Sequence, residues 1–363
     1  EIGRGAFGVV YLAEQLSLAR TVALKVTDTN QDDGCCVEGQ TMAQLEHPSI
    51  VRVFAQLTDT VNQRRMLCMQ YVSGINLRSL IKITQERNGD RWNGNSLLQI
   101  LEEGVDQEDA VLRETSVADR NSLVAADKLA TVCWIGAQAA FALDHAHQAG
   151  YIHHDVKPEN TIINRFGRPM LVDFNLAMES QSINRRIKGG TVPYMSPESI
   201  RDFTSKDVSQ SANAFDADVY ALGMMLWELS CGSLPFQVIG DEALSDPDRL
   251  QELLASRRET PHSDLVHPGL AKCLQLAFCF DPTQRYPSAR EFGQALMGVA
   301  QQDLAIESRP KNQWLVRIVL RYPALCFLVA GFAPHIVASG FQIAYNQAEI
   351  ISELTPSANE LFN

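Results

Sequence analysis

The sequence lacks an excess of basic residues. Its 363 residues contain 31 lysines and arginines against 43 aspartates and glutamates, and the formal net charge at pH 7 is −12. A nucleic-acid binder neutralises phosphates with clustered cations, so this charge argues against a nucleic-acid partner. The eight cysteines are scattered and include no Cys-x-x-Cys pair of the kind that holds zinc. We therefore expect reduced thiols and no disulfide framework.

A signal-peptide pattern is also missing from the residues given. The chain begins at Glu1, without methionine and inside a glycine motif, so we expect a fragment of a longer protein. An apolar fraction of 45% over this length suits one large domain or two with a substantial buried core.

Polar side chains are concentrated between residues 153 and 160. Asp155, Lys157 and Asn160 supply a carboxylate, an ammonium and a carboxamide, and Pro158 stiffens the turn between them. A loop that carries a base, a cation and metal-facing oxygens suits transfer of a phosphoryl group from a metal nucleotide. An Asp-Lys-Asn loop alone could equally be a polar surface turn, so the interpretation depends on the surrounding chain.

Three glycines near the start, Gly3, Gly5 and Gly8, have G-x-G-x-x-G spacing, which lets backbone approach phosphates closely. An ordinary glycine-rich hairpin turn would look the same. A dinucleotide-binding fold requires a helix directly after the last glycine, whereas residues 9–12 have the pattern of a strand. The spacing therefore favours a phosphate-covering hairpin.

A short apolar strand over residues 21–26 contains one charge, Lys25. A lysine on an edge strand is usually solvated; the alternative is a point charge that meets nucleotide phosphates. Glu38 begins a helix-like segment that stops at His47-Pro48, and it is either surface charge or the partner of Lys25.

From residue 84 to residue 127 the periodic pattern is lost. Two turn-type sequences, at residues 88–90 and 93–95, precede an acidic stretch at 102–114. These features predict a solvated insertion with the composition of a disordered segment.

With these residues together, the chain resembles the eukaryotic-type serine/threonine protein kinases found in bacteria, over about residues 1–300. The motifs that carry the resemblance follow one another in the family's order. They are the glycine loop with Gly3, Gly5, Gly8 and Val10, the Ala-x-Lys strand with Ala23 and Lys25, His153-His154-Asp155 with Lys157 and Asn160, Asp173-Phe174-Asn175, Gly190-Thr191 with Tyr194, and Ser196-Pro197-Glu198.

The resemblance implies an α+β, bilobal kinase-like fold, with a small β-rich lobe over residues 1–72 and a larger helical lobe over residues 73–300. It also implies ATP as the phosphoryl donor, Mg²⁺ (or Mn²⁺) as the metal, Ser/Thr hydroxyls of proteins as acceptors, and a homodimer as an option.

The resemblance further implies a role for each matching residue. Asp155 would orient the substrate hydroxyl, Lys157 would stabilise the transferring phosphoryl group, and Asn160 and Asp173 would hold the metal. The remaining implied roles are an ion pair of Glu38 with Lys25, an adenine-side connector formed by Met69, Gln70 and Val72, a substrate cleft shaped by Thr191, a structural ion pair of Glu198 with Arg285, and an anchor for the catalytic loop at Asp218.

Two positions depart from the family pattern. His154 replaces an arginine that can grip a phosphothreonine with a bidentate fork, so control by loop phosphorylation is in question. Asn175 replaces a glycine, and asparagine tolerates positive φ well. These changes leave open a rival interpretation, a pseudokinase that binds nucleotide without phosphoryl transfer.

The C-terminal region predicts a membrane anchor. Residues 325–344 are largely apolar and would span about 30 Å as a helix; Arg317 and Arg321 precede them and no lysine or arginine follows. We therefore expect a linker at 301–322, a transmembrane helix at 323–345 and the start of an extracytoplasmic region at 346–363. The kinase would then lie on the cytoplasmic side of an inner membrane that the chain crosses once. A buried helix of a further soluble domain is the alternative.

Overall fold

The computed structural model describes residues 1–5, 8–28, 45–89, 91–104, 114–174, 192–204, 215–236, 247–307 and 321–350. The chain divides into two units, Glu1–Asp303 and Leu304–Asn363. Glu38, Asn175 and Thr191, which the sequence singled out, lie outside the described residues.

The first lobe of the first unit is an antiparallel five-stranded sheet with strand order β1-β2-β3-β5-β4. Its strands are β1 (Gly3–Gly5), β2 (Gly8–Gln15), β3 (Arg20–Asp28), β4 (Val53–Asp59) and β5 (Arg64–Gln70). Ala23, Lys25 and Thr27 occupy alternate positions of β3 and are all buried. Because successive side chains of a strand point to opposite faces, one face of β3 is covered, and Lys25 is on it.

The turn between β1 and β2 requires glycine at position 8. Gly5 pairs with Gly8 across the hairpin, and Gly8 has a φ of 144°. A Cβ at this position would lie 2.4 Å from the carbonyl oxygen of Val26 on β3. The predicted hairpin is therefore present, with a strand directly after the last glycine, as the sequence pattern indicated.

The second lobe is mostly helical and begins with a small sheet. Strands β6 (Gly74–Asn76), β7 (Thr161–Asn164) and β8 (Pro169–Leu171) pair antiparallel in that order. The helices of this lobe are α1 (Leu77–Asn88), α2 (Gly94–Glu103), α3 (Glu114–Val124), α4 (Lys128–Gln148), α5 (Pro197–Thr204), α6 (Phe215–Cys231), α7 (Pro247–Ser256), α8 (Pro268–Ala277) and α9 (Ala289–Glu307).

Helices α4 and α6 form the centre of this lobe. Both carry apolar side chains on all faces and are buried over most of their length, which is the pattern expected of a helix without a solvent-facing side. They pack closely because α4 has Gly136 at the contact; a Cβ there would lie 2.5 Å from a methyl group of Leu226. The bilobal α+β architecture expected from the resemblance is confirmed.

The sequence predicts a solvated segment over residues 84–127. For the part of it that the structure describes, this prediction was wrong. The turn-type sequences are helix caps: Gly89 follows α1 with a φ of 53°, and Asn93 caps α2, with its side chain accepting from the backbone of Ser96. Asn and Gly are favoured at caps for the reasons that favour them in turns. Helix α2 buries Leu97, Leu101 and their neighbours on one face, so this part of the segment belongs to the core of the lobe.

Helix α3 is joined to the β7–β8 turn by a buried ion pair. Asp119 is 6% exposed and accepts hydrogen bonds from two nitrogens of Arg168, one of them at 2.6 Å. The remaining guanidinium nitrogen, Nη1, donates to Gln138 of α4 at 2.8 Å. The segment is therefore part of the lobe's packing.

We predict that Asp119→Ala lowers the free energy of unfolding by about 3 kcal/mol, because it leaves the Arg168 cation buried without its carboxylate. Urea unfolding measures this. The matched control is Glu103→Ala, which removes the exposed ion pair with Arg87 and should cost at most about 1 kcal/mol. Equal costs for the two variants would contradict the integration of α3 into the fold.

The second unit contains helix α10 (Pro323–Tyr345), which runs directly into a π-helical turn, Asn346–Ile350. Helix α10 has the bounds of the predicted membrane segment and includes Pro334. Within the described ranges, however, no helix is both long enough and apolar enough to cross a membrane. The structure therefore supports the predicted helix at residues 323–345, but it does not support the prediction that this helix crosses a membrane.

Candidate active site

The β7–β8 hairpin brings together two segments of the predicted site. Asn160 ends a short 3₁₀ turn, Pro158–Asn160, directly before β7, and Asp173 follows β8. The backbone N–H of Val172 donates to the carbonyl of Asn160 at 3.0 Å. The predicted metal-facing side chains thus start from two backbone positions that are tied to each other.

Asp155 is the centre of a buried polar cluster. Its Oδ2 lies 2.8 Å from Nζ of Lys157 and accepts a hydrogen bond from Nδ2 of Asn160 at 2.8 Å. Asn160 also donates to the backbone carbonyl of Asp155 at 3.0 Å. All three residues are less than 9% exposed, so a polar surface turn is excluded. The contacts fix the direction of the Asp155 carboxylate, as general acid–base chemistry requires.

Lys25 connects the sheet to this hairpin. Its Nζ lies 3.0 Å from Oδ1 of Asp173. Burial alone would raise the pKa of Asp173, but the charge of Lys25, the hydrogen bond that it donates, and the charge of Lys157 together hold that pKa below its ordinary value of 3.8. Asp173 is therefore ionised at neutral pH, in the form that can bind a cation. Glu38, the predicted partner of Lys25, lies outside the described residues.

Asp218, at the start of α6, holds the backbone before Asp155. Its two oxygens accept from the N–H groups of His153 and His154 at 2.8 Å each, and Oδ2 also lies 2.8 Å from Nε2 of His147. Burial would raise the pKa of Asp218, but the hydrogen bond and the charge of His147 lower it below 3.8. The anchor predicted at Asp218 is present. His147 was not predicted, because a histidine near a helix end gives no distinctive sequence signal.

His153 and His154 serve different purposes in this loop. The ring of His153 is fully buried and packs on Phe174 at a centroid distance of 4.4 Å. Burial lowers the pKa of His153, so the ring is neutral, and its Nδ1 accepts from the backbone N–H of Asp155 at 3.4 Å. His154 has a φ of 62°, a left-handed conformation that histidine adopts more readily than most residues.

The nucleotide-side residues occupy neighbouring strands. Val10 on β2 is paired with Lys25 on β3, and Ala23 on β3 is paired with Met69 on β5. Of the other predicted nucleotide-side residues, Gly3, Gly5 and Gly8 form the β1–β2 hairpin, Gln70 ends β5 and Val72 follows it. The structure thus brings the predicted set, apart from Glu38, to one sheet and its connector. Thr191, predicted to shape the substrate cleft, lies outside the described residues.

The oxygen ligands present suit a hard cation that arrives with phosphate. Among the described residues no group of three or more His, Cys, Asp and Glu side chains could hold a metal ion. Asn160 and Asp173 offer one carboxamide and one carboxylate. Mg²⁺ is typically bound through one or two carboxylates, waters and substrate phosphates rather than by a full protein cage, so this pair fits it.

Two arginine clusters hold the segments around the site. Arg285 donates to both oxygens of Glu198, at 2.6 and 2.8 Å; burial would raise the pKa of Glu198, and Arg285 lowers it below its ordinary 4.5. This is the predicted ion pair.

The second cluster was missed from the sequence. Arg78 of α1 donates to Glu159 at 2.8 Å and also to Glu228 and the hydroxyl of Tyr194. Burial raises the pKa of Tyr194, and Glu228 adds to the effect. These partners are 81, 150 and 116 residues from Arg78 in the chain, so no local pattern could reveal the contacts.

A β-rich lobe with a glycine hairpin and a buried lysine, placed against a helical lobe with an anchored Asp-Lys-Asn loop, defines the bilobal phosphotransferase class. The chain belongs to the protein kinase domain family, whose model matches residues 1–295. This membership confirms the resemblance drawn from the motifs.

Among curated proteins, the chain is similar to serine/threonine-protein kinase PknD of Chlamydia muridarum, with 26% identity over 351 residues. It is similar to PknD of Chlamydia caviae with 27% identity over 347 residues. Each match covers 88% of this chain and 32% of the relative, so the chain spans about a third of the length of these relatives. Among solved structures, Rad53 residues 1–466 in complex with AMP-PNP matches with a TM-score of 0.54 and 21% identity, over 82% of this chain and 63% of that one.

We predict that Glu198→Gln makes the free energy of unfolding less sensitive to pH in the acid range. Because the pKa of Glu198 is depressed in the folded state, its stabilising contribution is present above about pH 4.5 and is lost as the pH falls through the folded-state pKa. The free energy of unfolding should therefore fall less steeply for the variant between about pH 5 and about pH 3. Denaturant titrations at several pH values measure this. Glu86→Gln, at an exposed and weakly paired site, is the control, and a wild-type slope in Glu198→Gln would contradict the assignment.

Proposed function

We propose that the chain is a protein serine/threonine kinase that transfers the γ-phosphoryl group of ATP to hydroxyl groups of proteins. The observation that carries the proposal is the Asp155 cluster, in which Lys157 and Asn160 direct a buried carboxylate, beside Asp173 paired with Lys25. The family membership supports the same reaction, and the curated relatives are serine/threonine-protein kinases by name.

Each residue of the Asp155 cluster and of the Lys25–Asp173 pair would have a separate role in phosphoryl transfer. Asp155 would accept or orient the proton of the acceptor hydroxyl, and Lys157, 2.8 Å from it, would stabilise the negative charge of the group in transit. Lys25 would meet the nucleotide phosphates from β3. Asn160 donates through its amide nitrogen to Asp155, so its amide oxygen would face the metal together with Asp173. Mg²⁺ bound there would neutralise charge on the phosphates.

The departure at His154 is compatible with activity. Asp218 holds position 154 through the backbone N–H, so the anchor of the catalytic loop does not depend on the side chain at that position. An arginine replaced by histidine loses a bidentate phosphate contact and leaves Asp155 in place. This favours an active kinase with altered loop control over a pseudokinase, the second candidate.

We predict that Asp173→Asn abolishes phosphorylation of a generic basic protein by the full chain with Mg-ATP, because it removes the charged metal ligand. Asp155→Asn should lower kcat by at least about 100-fold while Mg-ATP still raises the melting temperature. The measurement is incorporation of labelled phosphate. Asp264→Asn, at a fully exposed side chain, is the control. Mg-ATP binding without transfer by the unmutated chain would favour the pseudokinase, and equal activity of Asp173→Asn would refute the site.

We also propose that α10 attaches the kinase to a membrane, with the kinase on the cytoplasmic side. The support is a set of exposed apolar side chains on this helix: Phe332, Ile336, Val337, Phe341 and Ile343 are each more than 60% exposed. Arginines precede the helix and acidic residues follow it, which is the charge asymmetry of such an orientation. Self-association stays a prediction from the resemblance.

We predict that the full chain remains in the membrane fraction after a carbonate wash, because apolar burial in lipid resists high pH. Replacing Val337 and Phe341 together by lysine should release it, since each charge would cost about 3 kcal/mol in the bilayer. Immunoblotting of the fractions measures this, with lysine substitutions at Gln302 and Gln301 as the control pair. Recovery of the unmutated chain in the soluble fraction would overturn the anchor.

A further inference from the structure

Arg257, the residue directly after α7, is a buried cation without a carboxylate partner in the described part of the chain. It is 3% exposed. Its Nη2 donates to the backbone carbonyl of Pro193 at 2.8 Å and reaches that of Val192 at 3.5 Å. The guanidinium carbon lies 4.9 Å from the ring centre of Phe236, and Nη1 lies 3.9 Å from the sulfur of Met224.

This arrangement costs free energy unless the contacts compensate for it. Moving a guanidinium out of water is expensive, and a buried charge without a counterion is retained only where hydrogen bonds and aromatic faces offset the loss of hydration. Burial lowers the pKa of Arg257, an effect that the phenol of Tyr220 opposes. The acceptors that compensate for this cost are the carbonyl groups of two consecutive residues in one short turn. Because these are backbone groups, Arg257 fixes the main chain of the turn independently of the side chains that the turn carries.

The turn in question is the 3₁₀ turn Val192–Tyr194, which directly follows Thr191. It is held at three points. Arg257 holds its carbonyls, and the side chain of Val192 packs with Leu253 of α7 and Ile200 of α5. At the far end, the hydroxyl of Tyr194 donates to Glu228 and accepts from Arg78.

The contacts continue from this turn to the catalytic loop. Arg78 also donates to Glu159, the neighbour of Asn160 in the 3₁₀ turn Pro158–Asn160. Arg257 is therefore connected to the catalytic loop through the main chain of the turn, and then through the hydrogen bonds from Arg78 to Tyr194 and to Glu159. Lys25 and Asp173, which would meet the nucleotide, form their ion pair elsewhere, between β3 and the residues after β8.

We propose that Arg257 is a positioning residue for the protein substrate. By fixing the carbonyls of Val192 and Pro193, it sets the main-chain path of the turn after Thr191, and that path sets where an acceptor segment lies relative to Asp155. This inference rests on the proposed function, because it needs a protein acceptor. It predicts a defect in the use of protein substrate and none in the use of ATP.

The test compares Arg257→Met with Arg258→Met in the full chain. Methionine keeps the length and apolar character of the arginine stem but donates no hydrogen bond. Arg258 is the next residue, is exposed, and lies over the ring of Phe280 at 4.3 Å. Steady-state kinetics with a generic basic protein should show the KM for protein raised about tenfold in Arg257→Met, which corresponds to about 1.4 kcal/mol. The KM for Mg-ATP should stay within about twofold, and Arg258→Met should match the unmutated chain.

The outcomes separate the possibilities. Equal KM values for protein in Arg257→Met and Arg258→Met, in an otherwise active chain, overturn the positioning role and leave the kinase assignment standing. A fall in kcat with both KM values unchanged means a smaller folded fraction, and it also overturns the role. Mg-ATP binding by the unmutated chain without transfer to any protein refutes the proposed function, and this inference with it.

A second variant decides the case in which Arg257→Met does not fold. Arg257→Lys keeps the charge and one donor but loses the planar fork. If the methionine variant shows no cooperative thermal transition, the lysine variant should still raise the KM for protein by at least about threefold with an unchanged KM for Mg-ATP. An unchanged KM for protein in a folded Arg257→Lys counts against the proposal.

Discussion

The active site depends first on the buried carboxylate of Asp218. Two backbone N–H groups and one imidazole point at it, and hydrogen bonds to a charged acceptor in a buried place are among the stronger ones available to a protein. Because α6 is buried along most of its length, the carboxylate of Asp218 is held in a fixed position by the packing of this helix. The residues before Asp155 are thereby fixed to the core of the helical lobe, and His154 can take up its left-handed backbone.

Arginine side chains join segments of the helical lobe that are far apart in the sequence. Arg78, Arg168, Arg257 and Arg285 each fasten a segment that is remote in sequence, and three of them do so through buried or half-buried carboxylates. A planar fork with five donors can satisfy several acceptors at once, which suits junctions where a helix, a turn and a hairpin meet. Arg78, Arg168 and Arg257 therefore connect the small catalytic hairpin and the turn at residues 192–194 to the helices around them. Arg285 joins the start of α5 to the residues before α9.

Motif reasoning identified the chemistry because each motif is local. Lys25, Asp155, Asn160 and Asp173 each belong to a short motif that is visible in the sequence, and the structure pairs Lys25 with Asp173 and Asp155 with Asn160. The ion pair of Glu198 with Arg285 was inferred from the family resemblance, and it too is present.

Sequence reasoning failed where a residue has more than one structural use. Asn93 and Gly89 looked like turn residues and are helix caps, since the same side-chain and backbone preferences serve both purposes. Asp119, Arg78 and Arg257 were indistinguishable from surface charges, because their partners come from tertiary packing. Long-range pairing of this kind leaves no periodic trace in one sequence.

The hydrogen bond from Val172 to the carbonyl of Asn160 has a consequence for how the metal site would respond to movement. The two side chains that would face the cation stem from opposite arms of one short hairpin, and this bond ties the arms together at their open end. A shift of either arm would carry the other along, so both ligands would approach or withdraw in concert.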